Sequence, residues 1–149
     1  MTDQQLALKL YVVLSRAYLA VNRHSQLDIA RHGLSHGEFA IMEVLFHKGP
    51  LLLGEVQRKI LVSSGGVTYL VDRLEADGLV ERRACETDRR ARYAALTRKG
   101  EQFMKKIFPD HAASLERALA GLTSTEKKQA ISLLRKLGTA AVDALPDRE

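Results

Sequence analysis

Residues 63–83 read Ser63-Ser64-Gly65-Gly66-Val67-Thr68-Tyr69-Leu70-Val71-Asp72-Arg73-Leu74-Glu75-Ala76-Asp77-Gly78-Leu79-Val80-Glu81-Arg82-Arg83. Val67, Leu70, Val71 and Leu74 recur at helical spacing, so the stretch predicts a short helix buried on one side. Ser63 or Ser64 is placed to cap it, and Gly78 to stop it. Leu79 to Ala84 then predicts a strand, Asp88-Arg89-Arg90-Ala91-Arg92 a charged tip, and Arg92 to Leu96 a returning strand. The alternation along these strands is imperfect, so the hairpin rests on its flanking context. A helix followed by a basic two-stranded wing suits double-stranded DNA. The helix enters the major groove and the wing reaches the neighbouring minor groove.

Charge agrees with that reading. The 149 residues carry a net charge of +5. Between Arg58 and Lys99 there are ten Lys/Arg against six Asp/Glu, so this segment alone holds +4. Basic charge concentrated on one element is the electrostatic footprint of a nucleic-acid binder, although charge alone favours the alternative, a solvated face.

Outward from this segment the chain is helical. Leu6, Leu10, Val13, Leu14, Ala17, Tyr18 and Val21 form a broad apolar stripe on a helix over 5–32, with Gly33 as its stop. Ser35-His36-Gly37-Glu38 is a capping box opening a second helix with Phe39, Met42, Leu45 and Phe46 inward, and Gly49-Pro50 ends it. Residues 53–61 predict a short helix with Val56 and Ile60 inward. Thr97 caps a long helix carrying Phe103, Ile107, Leu115 and Leu119, with Pro109 as the place for a bend. Thr123-Ser124-Thr125-Glu126 is another capping box, opening a last helix with Ile131, Leu134, Leu137 and Ala141 on one face. The fold class expected is mainly α with a small β-hairpin wing. The stripes on the first and last helices look too broad to bury on the small middle segment, which points to packing with a second copy of the chain.

Several classes are set aside. A single cysteine, Cys85, allows neither an internal disulfide nor a Cys-based zinc site. The start has no basic segment ahead of an apolar run, and no stretch approaches the roughly 18 apolar residues of a membrane span, so no membrane association and a cytoplasmic location are expected. The phosphate-binding Gly-x-x-x-x-Gly-Lys-Ser/Thr, Gly-x-Gly-x-x-Gly and His-Glu-x-x-His motifs are all absent, and no enzyme and no cofactor are expected. His32 and His36 straddle Gly33 rather than sharing a helix face, and no metal site is expected.

The chain resembles the multiple-antibiotic-resistance regulator (MarR) family of bacterial winged-helix transcription factors along nearly its whole length. The carriers are Leu34-Ser35 with Glu38-Phe39, Gly49-Pro50-Leu51, Ser64-Gly65, Val67-Thr68, Leu70-Val71-Asp72-Arg73-Leu74-Glu75, Gly78-Leu79-Val80-Glu81-Arg82, Asp88-Arg89-Arg90, and Leu96-Thr97 with Lys99-Gly100. The resemblance implies a winged helix-turn-helix lobe over 34–99. It also implies a helical dimerisation region over 1–33 and 100–149, and a homodimer bound to a roughly palindromic operator. It implies a repressor released by a small phenolic or lipophilic effector. A thiol-responsive or effector-independent regulator is an alternative, and so is a winged-helix interaction module that does not read DNA.

The resemblance makes Arg90 the minor-groove arginine and Asp88 its orienting partner, held by an ion pair, with Arg89 and Arg92 beside them. Ser63, Ser64, Gly65 and Gly66 are expected to bring the helix N-terminus close to phosphate, where free N–H groups favour an anion. Thr68 and Tyr69 are placed to reach base edges. Arg73 is either a phosphate contact or the i+4 partner of Asp77. Relatives bind effectors where the first, second and fifth helices meet. Tyr11, Tyr18, His24, Phe39 and Met42 are the candidate lining here, with plain core as the alternative for each. Thiol-sensing relatives carry their cysteine in the first helix, where this chain has none; Cys85 stands at the root of the wing, beside Arg82, Arg83 and Arg89.

Overall fold

Helices begin where side chains can answer the free backbone N–H groups of a first turn. The computed structural model describes residues 1–60 and 66–146. Helix α1 spans Asp3–Arg31, and Thr2 and Gln5 exchange the reciprocal bonds of a capping box. Helix α2 spans His36–Lys48 behind the Ser35/Glu38 box and ends at Gly49, whose φ of +77° suits glycine. Strand β1 (Leu51–Leu52) leads into α3 (Leu53–Lys59), and α4 follows over Val67–Ala76. Strands β2 (Val80–Ala84) and β3 (Arg92–Leu96) form the hairpin. Helix α5 runs over Arg98–Ala118 and continues through Pro109. Helix α6 spans Ser124–Asp143 behind the Thr123/Glu126 box.

The expected two-stranded wing is part of a three-stranded antiparallel sheet of order β1-β3-β2. Arg82 stands opposite Ala94, and Leu51 meets the other edge of Ala94. Strand β1 escapes a sequence reading because two residues carry no period; pairing with β3 creates it.

The chain divides into two compact units, Met1–Leu115 and Glu116–Glu149. In the first, Ile41, Met42, Val56, Val71, Leu74 and Met104 are fully buried around the α2–α4 contact and the sheet. Burying each such side chain contributes roughly 1.5–3 kcal/mol. The inward face of α5 differs from expectation. It is Met104, Ile107, His111 and Ser114, while Phe103 and Leu115 are half-buried and Leu119 is 41% exposed.

The polar members of that face have a reason to be inside. Asp28 on α1 is buried, with His111 Nδ1 3.3 Å from its Oδ2, Arg31 Nη2 2.9 Å from its Oδ1 and His32 Nε2 3.5 Å away. The His111 ring packs on Phe39 with centroids 4.4 Å apart. Ser114 donates to the backbone carbonyl of His24. A polar partner 83 residues away decides which side of α5 turns inward.

The first turn of α5 is pinned to the corner between α4 and β2. Thr97 Oγ1 donates to the Gly78 carbonyl and accepts from Gly100 N, Thr97 N donates to Leu79 O, and Lys99 Nζ reaches Asp77 O at 2.8 Å. A Cβ on Gly100 would overlap the Leu79 carbonyl oxygen. Gly78, at φ +73°, makes the corner itself.

Along α1, Leu6, Leu10, Val13 and Tyr18 are exposed in the single chain. In the second unit α6 has no buried residue, and Ile131, Leu134 and Leu137 are exposed.

Candidate nucleic-acid interface

Helix α4 buries Val67, Val71 and Leu74 and turns Thr68, Tyr69, Asp72, Arg73 and Glu75 outward. Its N-cap is Gly66, in αR conformation and without a side-chain cap; Ser63, Ser64 and Gly65 lie outside the described residues. Tyr69 is 60% exposed. Arg73 does not pair with Asp77, the i+4 partner considered from sequence. Its Nη1 instead donates to Tyr69 Oη at 3.3 Å, and its guanidinium lies 5.8 Å from the Tyr69 ring centroid. The Tyr69 hydroxyl is the main influence raising the Arg73 pKa. The aromatic ring thus holds the arginine along the exposed helix face.

At the wing tip, Ala91 N donates to Asp88 O and closes the turn. Asp88 Oδ1 accepts from the backbone N of Arg90 at 2.9 Å. The expected guanidinium ion pair is therefore replaced by a bond to the main chain. A carboxylate two residues before an N–H makes an Asx turn, which shapes the loop and leaves the arginine side chain unheld. Arg92 folds back, its Nη1 donating to the carbonyls of Arg89 and Ala91. Among the described residues neither Arg89 nor Arg90 has an ion-pair partner, and both are exposed. The tip therefore presents two uncompensated guanidinium groups on a turn that Asp88 and Arg92 stiffen.

Below the tip, Arg83 pairs with Glu81 and Arg82 reaches Asp72 and Glu75 on α4. This tie between wing and helix was not legible in the sequence, where its members are seven and ten residues apart. At the wing root, Cys85 Sγ lies 3.2 Å from Thr87 Oγ1, and that contact lowers the thiol pKa.

The five candidate pocket residues do not share one environment in the single chain. Tyr11 and Tyr18 are 70% and 60% exposed, His24 is exposed, and Phe39 and Met42 are in the core. A groove of about 330 Å³, lined by His36, Ala40, Glu43, His47, Lys59 and Ile60 among others, includes none of them. Among the described residues, no three acidic, histidine or cysteine side chains are grouped to hold a metal. No described helix is long and apolar enough to cross a membrane.

Known proteins share this fold. A model of the MarR family matches residues 32–91. The HTH-type transcriptional regulator MhqR of Bacillus subtilis is 43% identical over 135 residues, covering 91% of this chain and 93% of that protein. Among solved structures, Sco3205 of Streptomyces coelicolor, a MarR family regulator in complex with DNA, has a TM-score of 0.78 at 23% identity, covering 94% of this chain and 89% of that one. BpsR of Bordetella bronchiseptica, whose DNA binding is regulated by 6-hydroxynicotinic acid, has a TM-score of 0.77 at 24% identity, over 87% of this chain and 98% of that one. The match to a regulator over 91% of the chain, on a helix followed by a hairpin wing, places the chain in the MarR family of DNA-binding winged-helix transcriptional regulators.

Proposed function

We propose that the chain is a homodimeric repressor of a palindromic operator, acting in the cytoplasm, with residues 34–99 as its DNA-binding lobe. Helix α4 lies in the major groove with Thr68, Tyr69 and Arg73 toward the duplex, and Arg90 enters the minor groove. The observation that carries this reading is the wing tip, where the backbone is fixed by Asp88 and the Arg89 and Arg90 guanidinium groups are left free. A narrow minor groove concentrates negative potential and attracts such an arginine. The exposed leucines and tyrosines of α1 and the exposed Ile131, Leu134 and Leu137 of α6 support dimerisation through 1–33 and 100–149. An aromatic acid regulates the structurally similar BpsR, which supports a small phenolic or lipophilic effector here.

The test is selection of a bound duplex from a random pool, followed by affinity measurements over a salt series with Arg90→Ala alongside. Specific binding near 10⁻⁸ M or tighter is expected. Arg90→Ala is expected to weaken it about 5- to 160-fold, the range of about 1–3 kcal/mol for a groove-reading arginine. Equal, weak affinity for every duplex, indifferent to Arg90, refutes the reading. Sedimentation of the free protein reports the dimer. A thermal-shift series with phenolic acids and quinones reports the effector, since a ligand of the folded state raises Tm.

A further inference from the structure

The exposed flank of α4 carries a liability for a DNA-reading helix. Asp72 and Glu75, nearly one turn apart, have side chains 59% and 46% exposed. Two carboxylates on a helix that approaches phosphates repel them. Arg82, reaching from the middle of β2, meets both: Nη2 lies 2.6 Å from Asp72 Oδ1 and Nη1 2.9 Å from Glu75 Oε2. The guanidinium fork is divided between two residues rather than doubled on one, a bridge that the single point charge of a lysine cannot copy. Arg82 is the most sheltered of the three, at 24% exposure. Burial works against its charge, and the hydrogen bonds to Asp72 and Glu75 outweigh that, so it stays firmly protonated. Its backbone is locked in register with Ala94 in the centre of the sheet, so the counter-charge is held by a rigid element and not by a free side chain.

We propose that Arg82 is a positioning residue for DNA recognition, acting through Asp72 and Glu75: it supplies the counter-charge that lets the acidic flank of α4 approach the phosphate backbone, without itself touching DNA. With Arg82 the three groups sum to −1; without it they sum to −2. The proposal rests on α4 being the groove helix. It explains why an arginine on the wing strand points toward the helix while Arg89 and Arg90, further out, are left free for the duplex. Exposed ion pairs add little to stability, so the consequence appears in binding and in its salt dependence.

The test is a mutant cycle on the dimeric protein with a duplex selected by the wild type. Arg82→Gln is expected to weaken binding about tenfold at moderate salt, with the slope of log K against log salt unchanged. Asp72→Asn/Glu75→Gln is expected to bind at least as tightly as wild type. In that background Arg82→Gln is expected to cost less than about threefold, because the carboxylates it served are gone. Arg82→Lys, which keeps the charge and loses the bridge, falls between wild type and Arg82→Gln and guards against a variant that fails to fold. If the triple variant is as weak as Arg82→Gln alone, with the slope reduced by about one, Arg82 contacts a phosphate directly and the proposal is overturned. Affinity unaffected by Arg82→Gln overturns it as well. Arg73→Ala in the same assay tests the ground beneath it. If that substitution leaves affinity unchanged while Arg90→Ala does not, α4 is not the groove helix, a failure separate from that of Arg82.

Discussion

Removing either half of the Asp28–His111 pair is expected to cost the protein far more than its surface ion pairs do, and removing both halves to cost less than the sum. The Asp28 carboxylate is inaccessible and the His111 ring nearly so, at 0% and 5% exposure, with Nδ1 3.3 Å from Oδ2. A buried charge-assisted hydrogen bond contributes about 1.5–3 kcal/mol, and its loss strands the remaining polar group in the core. Asp28 also accepts from Arg31, but that side chain is 64% exposed, so its bond adds at most about 1 kcal/mol. Asp28→Leu and His111→Leu are each expected to destabilise by about 3 kcal/mol, within the range for breaking a buried pair. At about 2–4 °C per kcal/mol, Tm falls by about 6–12 °C. The double leucine variant replaces the pair by apolar volume, leaves no orphan between these two groups, and is expected to lose no more than either single variant. The assay is urea unfolding at fixed protein concentration, since the proposed dimerisation would make apparent stability concentration-dependent. A double variant whose loss equals the sum of the singles shows that the two groups are uncoupled, and refutes the reasoning.

Gly100→Ala places a methyl group on the Leu79 carbonyl oxygen; the backbone must shift, and destabilisation of about 3 kcal/mol is expected by chemical denaturation, with a loss under 0.5 kcal/mol counting against the geometry. Hydrogen bonds from Thr123 to Glu126 lower the pKa of that carboxyl. Its folded value lies below its unfolded one, so the α6 cap stabilises above the ordinary glutamate range and is lost as pH falls through the depressed folded value. Amide exchange at the start of α6 should accelerate there, and not in Glu126→Gln. The thiol of Cys85, lowered by Thr87, is expected to react with iodoacetamide at neutral pH faster than a free cysteine peptide, and more slowly in Thr87→Val. Equal rates in the two proteins would remove Thr87 as the cause.

Local signals carried far in this sequence. The Ser35/Glu38 and Thr123/Glu126 boxes are written within four residues, and both helices start where those residues place them. Val67, Val71 and Leu74 state the buried face of α4 by spacing alone. What the sequence hid is non-local. Strand β1 exists only because β3 pairs with it. Leu115 looks like part of the inward stripe of α5 until Asp28 draws His111 inward and turns the buried face toward Met104 and Ser114. The wing arginines were legible as a charged tip, but their division of labour was not. Arg92 stitches the loop, Arg82 bridges to the helix, and Arg89 and Arg90 are exposed without an ion pair among the described residues. The same holds for Asp88, whose spacing to Arg90 reads as an ion pair and folds as a backbone turn.

The seam between Gly100 and Leu79 has a mechanical meaning. Most joints between elements are cushioned by side chains that can change rotamer, and part of any small displacement is absorbed there. Here a helix backbone rests directly on the carbonyl of Leu79, in the corner before β2, with Thr97 and Lys99 bolting the same corner. Such a joint has no backlash. A tilt of the first turn of α5 is therefore expected to move the end of α4 and the foot of the wing with it. By the same stiffness, a duplex that levered the wing would push back on α5, and a ligand gripping that helix would sense the DNA through the same joint.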